Sequence, residues 1–225
     1  MSNCCCEHEH NEPPPIATYP NQSLYECMDL NKIKILNGVY KNGEKNYKNF
    51  IKTQESKDDN SCFLESDCDC QLVIHIPFTK SVKLYSMILR SAFNDQDDNL
   101  GSLHHVHLYK NFNKNIDFDT LENAKITYSI EHIRNNNGSE DVEHYLPRHQ
   151  FQSVDSLTIF IPDNYEEDED LLSRIYYLEL RGDLSVNSGD KRQEFHLKSS
   201  VFESAPNPLD HVKLQEEPGS SNMIQ

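Results

Sequence analysis

Two cysteines separated by one aspartate, Cys68-Asp69-Cys70, have residue types that suit a metal or redox centre. A structural zinc site needs a second pair of ligands, and none follows here. Thioredoxin-type redox chemistry needs two residues between the cysteines and a helix N-terminus that lowers the thiol pKa. The segment runs instead into QLVIHIPF, which is typical of a β-strand. We interpret both cysteines as small thiols at the start of a strand, sharing one face, with Asp67 and Asp69 on the other.

A second cluster of metal-ligating residues lies at the very start of the chain and consists of Cys4, Cys5, Cys6, His8 and His10. Thiolates and imidazoles together favour Zn(II) or Cu(I). The surrounding residues are polar, proline-rich and without periodicity, which predicts a flexible arm over residues 1–23. Ordering such an arm costs conformational entropy. Two interpretations stay open: a zinc- or copper-binding sensor, and an arm that has no cofactor.

Three histidines, His104, His105 and His107, form a third cluster. On a strand His105 and His107 share a face and His104 opposes them, so two rings at most meet one ion. A third ligand would come from Asp97 or Asp98 in the preceding loop. The more ordinary interpretation, which we favour, is a set of polar residues at a solvent-facing strand edge.

The remaining chemistry is sparse. No nucleophile elbow, phosphate-binding loop or H-E-x-x-H helix is present, so we predict that the chain is not an enzyme. The acidic run at 166–170 is most simply a solvated loop, and otherwise a docking patch for a basic partner.

Charge and composition exclude several classes of function. The chain has 37 acidic and 21 basic residues among 225, a net charge of −16, which opposes binding to nucleic acid and to anionic membranes. A basic protein surface is the natural complement. No apolar run approaches the roughly 18 residues of a transmembrane helix, and the N-terminus lacks the pattern of a signal peptide. Seven unevenly spaced cysteines fit a reducing compartment, so we expect the protein in the cytoplasm and nucleus. We also expect it to be a monomer.

The elements that must position these groups are predicted to be β-strands. Val106 and Leu108 alternate with polar or aromatic residues, as do Leu157, Ile159 and Ile161. The run SVKLYSMILRSAF predicts a central strand covered on both faces. Its predicted faces are Val82, Leu84, Ser86 and Ile88 against Lys83, Tyr85, Met87 and Leu89.

The proline of QLVIHIPF predicts a strand end, and residues 41–60 a long polar loop. Several strands with scarcely any helical pattern predict an antiparallel β-sandwich. We place it at residues 24–202, between the arm and a C-terminal tail at 203–225.

Six blocks of the sequence, taken in order, resemble one family, the PITH domain. They are LESDCDCQLVIHIPF, VKLYSMIL, VHLYKN, NIDFDT, FQSVDSLTIFIPDN and IYYLELRGD. The resemblance implies an all-β antiparallel jelly roll of the galactose-binding-like type. It also implies a non-enzymatic protein-binding role associated with the proteasome, whose regulatory particle is the expected partner. Cys70 stands where the family commonly has glutamate, which argues against a catalytic thiol.

The resemblance and the residue types together suggest where a partner binds. The candidates are Asp67, Asp69 and Arg181 on the domain, and Asn207, Pro208, Asp210 and His211 in the tail. Asp and Arg form charge-assisted hydrogen bonds, and Arg is enriched at interface hot spots. The alternative for the first three is structural: the aspartates cap loop amides, and Arg181 pairs with them.

A second function stays open, a small-ligand or glycan-binding jelly roll that uses the acidic loops at 94–99 and 163–170. The absence of tryptophan, a favoured stacking surface for sugars, counts against it.

Overall fold

The computed structural model describes residues 16–92, 98–134 and 141–185. Within these ranges the regular structure is mainly β-strand, with one short α-helix, α1 (Phe118–Glu122), and four 3₁₀ turns at 20–22, 25–27, 30–32 and 47–49. The strands are β1 (Lys34–Leu36), β2 (Gly38–Lys41), β3 (Phe63–Ser66), β4 (Leu72–Ser91), β5 (His105–Lys110), β6 (Tyr128–Glu131), β7 (Val142–Tyr145), β8 (Val154–Ile161) and β9 (Arg174–Leu184). No helix in the described part of the chain is long and apolar enough to cross a membrane.

The long strand β4 belongs to both layers of the fold because it changes neighbours along its length. Its first part, residues 72–77, pairs antiparallel with β1 and β8. Its second part, residues 82–91, pairs antiparallel with β7 and β9. One layer is completed by β5 and β6 beyond β8, the other by β3 and β2 beyond β9. The predicted antiparallel β-sandwich is confirmed.

The core lies between the two layers and draws apolar side chains from both. The predicted inward faces of β5 and β8 are confirmed, because Val106, Leu108, Leu157, Ile159 and Ile161 all belong to the main buried cluster. A smaller cluster on the outer face of the first layer packs α1 against Val73, Tyr109 and Phe160. The Tyr109 hydroxyl donates to the Leu121 carbonyl at 2.8 Å, which fixes the helix to this face.

The predicted faces of β4 are wrong beyond Tyr85. The register with β9 shifts between Leu84 and Ser86, so one extra residue of β4 lies opposite its partner strand. Val82, Leu84, Met87 and Leu89 therefore share the main core, although strict alternation separates the first two from the last two. The strand is covered on both faces, as predicted.

Pro77 does not end a strand. It lies inside β4, where Ser156 of β8 is its Cα partner and the register shifts before Val82. Its carbonyl accepts from Asp29 N at 2.8 Å, and proline has no N–H that a ladder would need at this irregularity.

The polar segment at 41–60 carries two core residues that its composition hid. Phe50 and Ile51 are wholly buried in the main cluster, and Leu178 N of β9 donates to the Phe50 carbonyl at 2.8 Å. Arg90 of β4, also buried, donates to Asp141, to the Lys57 carbonyl and to Asn60. The segment thus adds Phe50 and Ile51 to the main core, and its later residues cover Arg90 on the outer face of the second layer.

The last residues of the predicted arm at 1–23 lie against the sandwich. Thr18 is buried and hydrogen-bonds to Ser86 and Glu143, and Ser23 forms a β-bridge with Arg181. The contact of the chain with the domain therefore begins before the predicted boundary at residue 24. Residues 1–15 and the predicted tail at 203–225 lie outside the described residues. So does EFHLKSS at 194–200, whose pattern predicts a last short strand.

Candidate functional site

Two loops that are far apart in sequence meet at one end of the sandwich. Cys70 N donates to the Glu169 carbonyl at 3.0 Å, and the Ser173 hydroxyl donates to the Cys70 carbonyl at 2.6 Å. Between the loops lies a cleft of about 390 Å³. We name this cleft the acidic cleft. The residues that line it are Cys70, His104, His105, Pro162, Asp163, Asn164, Glu167, Asp168 and Glu169.

The turn at Asn37 holds the first of these loops. Asn37 has φ 55°, a left-handed conformation that asparagine tolerates, and its amide donates to Asp69 at 2.7 Å and to the Gln71 carbonyl at 2.6 Å. Its Oδ1 accepts from Cys68 N at 3.1 Å. Asp69 also accepts from Gln71 N at 2.8 Å. The aspartate therefore caps loop amides, as the structural alternative proposed.

Replacing Asn37 tests how this loop is held. We expect Asn37→Ala to lower the free energy of unfolding by about 2 kcal/mol, because it removes the side-chain bonds and places a Cβ-bearing residue without them at positive φ. Asn37→Gly keeps the conformation and loses only the bonds, so its cost is about half. Urea unfolding of both variants checks the order. Equal stability of Asn37→Ala and the parent would contradict this account.

The two cysteines of the opening motif lie in different environments. Strand β4 begins at Leu72, directly after them, as predicted. Cys68 is exposed and Cys70 is buried, so the prediction that both share one face is wrong; the segment bends instead of extending. Burial, with Asp69 and Glu169 nearby, raises the pKa of the Cys70 thiol to about 11. Cys70 is therefore protonated at neutral pH and poorly suited to nucleophilic or redox chemistry.

The histidine cluster has a geometry that strand alternation did not predict. β5 begins at His105, so His104 precedes the strand, and the two rings pack against each other at a tilt of 38° with centroids 3.8 Å apart. The His107 ring lies 6.2 Å from His105 and packs edge-on against Phe160. The acidic neighbour is Asp163, which accepts from His105 N at 2.9 Å and contacts Nδ1 of its ring at 2.8 Å. The prediction that His104 opposes the others is wrong.

The second loop, residues 162–170, is held by its own polar side chains. Asn164 donates to the Asp168 carbonyl at 2.5 Å and accepts from Asp168 N at 3.1 Å. Glu166 accepts from the Ser102 amide and hydroxyl at 2.7 and 2.9 Å. The carboxylates of residues 167–170 remain exposed. A fixed loop with outward carboxylates suits a docking patch for a basic partner.

Arg181 lies far from the two predicted aspartates. Its guanidinium pairs with Glu179 at 3.1 Å and Glu143 at 3.8 Å, and only 11% of the side chain is exposed. Ser173, which bonds Ser66 beside the first loop, precedes Arg181 by eight residues, a separation of about 26 Å along an extended strand. The structural alternative in which Arg181 pairs with Asp67 and Asp69 is therefore wrong.

Most of the other predicted site residues lie outside the described ranges. These are the metal candidates Cys4, Cys5, Cys6, His8 and His10, and the tail candidates Asn207, Pro208, Asp210 and His211. Asp97 lies outside the described ranges as well. The metal site in the arm and the partner contact in the tail stay predictions. Asp67 is exposed at the rim of the first loop, so it is accessible to a partner.

A pair of buried histidines escaped sequence analysis altogether. His132 Nδ1 and His144 Nε2 lie 2.8 Å apart, and the Ser91 hydroxyl lies 3.0 Å from the other nitrogen of His132. Burial lowers the pKa of His132 to about 3, with a contribution from His144, and burial lowers the pKa of His144 to about 4. Nothing in the local sequence marks the pair, because its members come from different strand ends.

The strand order and shared core define a jelly-roll β-sandwich of the galactose-binding-like type. A solved structure with this fold contains the CBM32-1 and CBM32-2 domains of Clostridium perfringens ZmpB, in complex with GalNAc. It matches 73% of this chain and 36% of its own with a TM-score of 0.50 and 16% identity. A likeness at that identity concerns the fold alone.

Sequence comparison identifies the family within this fold. The PITH domain model matches residues 14–201, and the chain belongs to the PITH domain family. PITH domain-containing protein 1 of Homo sapiens is 30% identical over 208 residues, 92% of this chain and 89% of that protein. A PITH domain-containing protein of Drosophila pseudoobscura is 32% identical over 163 residues, 72% of this chain and 70% of its own length. The resemblance drawn from the six sequence blocks is confirmed, and the family supports a non-catalytic protein-interaction module.

Proposed function

We propose that this chain is a non-enzymatic binding module that associates, as a monomer, with the proteasome through its regulatory particle, in the cytoplasm and nucleus. The observation that carries the proposal is the family match over residues 14–201. The environment of the Cys70 thiol, whose raised pKa keeps it protonated, supports a role in binding over one in catalysis.

The contact surface that we propose is the exposed acidic rim of the cleft, formed by Asp67 and residues 167–170. Residues 167–170 sit on a loop that is held by the bonds of Asn164 with Asp168 and of Glu166 with Ser102, so little ordering entropy is lost on binding. The net charge of −16 acts in the same direction, because it steers the chain towards a basic surface. The tail residues 207–211 supply the second contact of the proposal.

A pull-down from cell extract at low and moderate salt tests the association. The bait is the full chain beside a chain truncated after Val201 and a full chain with Glu167→Gln, Asp168→Asn, Glu169→Gln and Asp170→Asn. We expect the full chain to recover proteasome particles, less at moderate salt, because surface charges are screened. Both altered chains should recover at least tenfold less.

A charge-matched control separates the acidic rim from net charge. Neutralising Glu26, Glu55, Asp119 and Asp155, which are exposed elsewhere on the domain, removes the same four charges and should leave recovery unchanged. Equal loss in both neutralised chains would refute the rim as a specific surface. If no bait recovers proteasome even at low salt, the association is wrong, and the small-ligand or glycan-binding alternative becomes the leading function.

A further inference from the structure

The acidic cleft contains a group of potential metal ligands that the proposed function does not use. One ligand atom each from His104, His105 and Asp163 lies within 4.8 Å of the other two. In a tetrahedral zinc site, bonds of about 2.0–2.2 Å place ligand atoms roughly 3.4 Å apart. The three groups therefore reach such a geometry by small rotations of side chains that are only partly buried.

The positions of these side chains are set by the surrounding structure. The backbone of His105 donates to Asp163 Oδ1 at 2.9 Å, and His104 N donates to the Asp163 carbonyl at 3.4 Å. The ring of Tyr165 also packs against His104, with ring centroids 4.1 Å apart. Two imidazoles that follow one another in sequence thus share one side of the chain, next to the same carboxylate.

The charge around this group favours a cation. Glu131 approaches His104 Nε2 at 3.9 Å, and the carboxylates of Glu167, Asp168 and Glu169 line the same cleft. Arg134, a basic residue at this end of the domain, is engaged by Glu166 at 3.2 Å. The cation that fits must accept imidazole nitrogen as well as carboxylate oxygen, which excludes calcium and magnesium as preferred occupants.

We propose that His104, His105 and Asp163 bind a divalent transition-metal ion, with zinc as the best match. His105 Nδ1 and Asp163 Oδ2 now share a hydrogen 2.8 Å apart. An ion bound to both atoms takes the place of that hydrogen, and the single proton of the neutral imidazole moves from Nδ1 to Nε2. Three protein ligands leave a fourth position for water or for a donor from a partner.

Zinc titration of the full chain tests the proposal. Because the arm at residues 1–15 carries its own thiols and imidazoles, the parent for the test carries Cys4→Ser, Cys5→Ser, Cys6→Ser, His8→Gln and His10→Gln. After dialysis against a chelator, we expect calorimetric titration with zinc chloride to show one equivalent bound. His104→Gln and Asp163→Asn should each weaken binding at least tenfold, because each removes one of three ligands.

The controls separate metal binding from folding and from the proposed function. His149→Gln, which changes an exposed histidine elsewhere, should leave zinc affinity unchanged. Metal-free thermal unfolding of each variant shows whether it folds as the parent does, and Asp163→Asn keeps the shape of the side chain. No stoichiometric binding by the parent, or equal affinity in His104→Gln, would overturn the proposal. This inference stands apart from proteasome association, because the titration contains no partner.

Discussion

Lowering the pH from 7 to 5 should reduce the free energy of unfolding of this protein by about 4 kcal/mol, through His132 and His144. Both side chains are buried, at 2% and 9% exposure. Burial lowers the pKa of His132 to about 3 and that of His144 to about 4, against an ordinary value of 6.5. At pH values between the folded and the unfolded pKa of each histidine, the unfolded chain binds more protons than the folded chain. The free energy of unfolding therefore falls as the pH falls.

The size of this effect follows from proton linkage. A histidine with an ordinary pKa when unfolded and no proton when folded contributes about 2 kcal/mol between pH 7 and pH 5. The two nitrogens that face each other at 2.8 Å cannot both carry a proton, which keeps the pair from charging fully. Protonation of paired carboxylates lowers the stability of a protein mainly below pH 5. The change in stability between pH 7 and pH 5 therefore reports on the histidines.

Urea unfolding at pH 7, 6 and 5 measures the slope of stability against pH. The double variant His132→Gln/His144→Gln should flatten that slope, whatever its absolute stability, because it removes both titrating groups. A smaller slope remains from His75 and His107, whose pKa values burial also lowers. The exposed histidine variant His149→Gln should keep the slope of the parent. A parent whose stability does not change between pH 7 and pH 5 would contradict the burial of the pair.

The regular strands of this fold were predictable because their side chains alternate without interruption. In β5 and β8 the apolar residues recur at every second position, and the structure places Val106, Leu108, Leu157 and Ile159 in the core. The family resemblance then provided the layered topology, which alternation alone does not contain. The predicted faces of β4 are wrong beyond Tyr85 because a bulge shifts every later side chain to the opposite face. No residue type marks the position of that bulge.

The candidate site was predictable only in part, because its residues meet through tertiary contacts. The histidines at 104 and 105 were identified, but their partner was sought at Asp97 and Asp98, the nearest acids in sequence. The actual carboxylate, Asp163, is 58 residues away from His105 and belongs to another loop. Composition also hides part of the core at 41–60, where the buried Phe50 and Ile51 lie within a polar run.

Gly182 marks another place where the local pattern was misleading, and substituting it should have a large effect. The pattern of IYYLELRGD predicts a strand that ends near this glycine, yet β9 continues to Leu184, and Gly182 pairs with Leu84 of β4. A Cβ at this position would lie 1.9 Å from the Lys83 carbonyl oxygen and 3.1 Å from Leu24 Cδ1. The first of these neighbours is backbone in the central strand, which cannot move alone.

We expect Gly182→Ala to lower the free energy of unfolding by about 3 kcal/mol, because the two strands must separate or shift register next to the bulge. Gly43→Ala is the matched control. Its Cβ would approach the sulfur of the half-buried Cys62 at 2.7 Å and Asn49 Oδ1 at 3.1 Å, but both neighbours are side-chain atoms and the Cys62 side chain can rotate. Urea denaturation at pH 7 should therefore show a loss of less than about 1 kcal/mol for Gly43→Ala. Similar stability of Gly182→Ala and the parent would mean that β4 and β9 do not approach each other this closely. The bulge would then lie elsewhere, and Met87 and Leu89 would return to the face that simple alternation gives them.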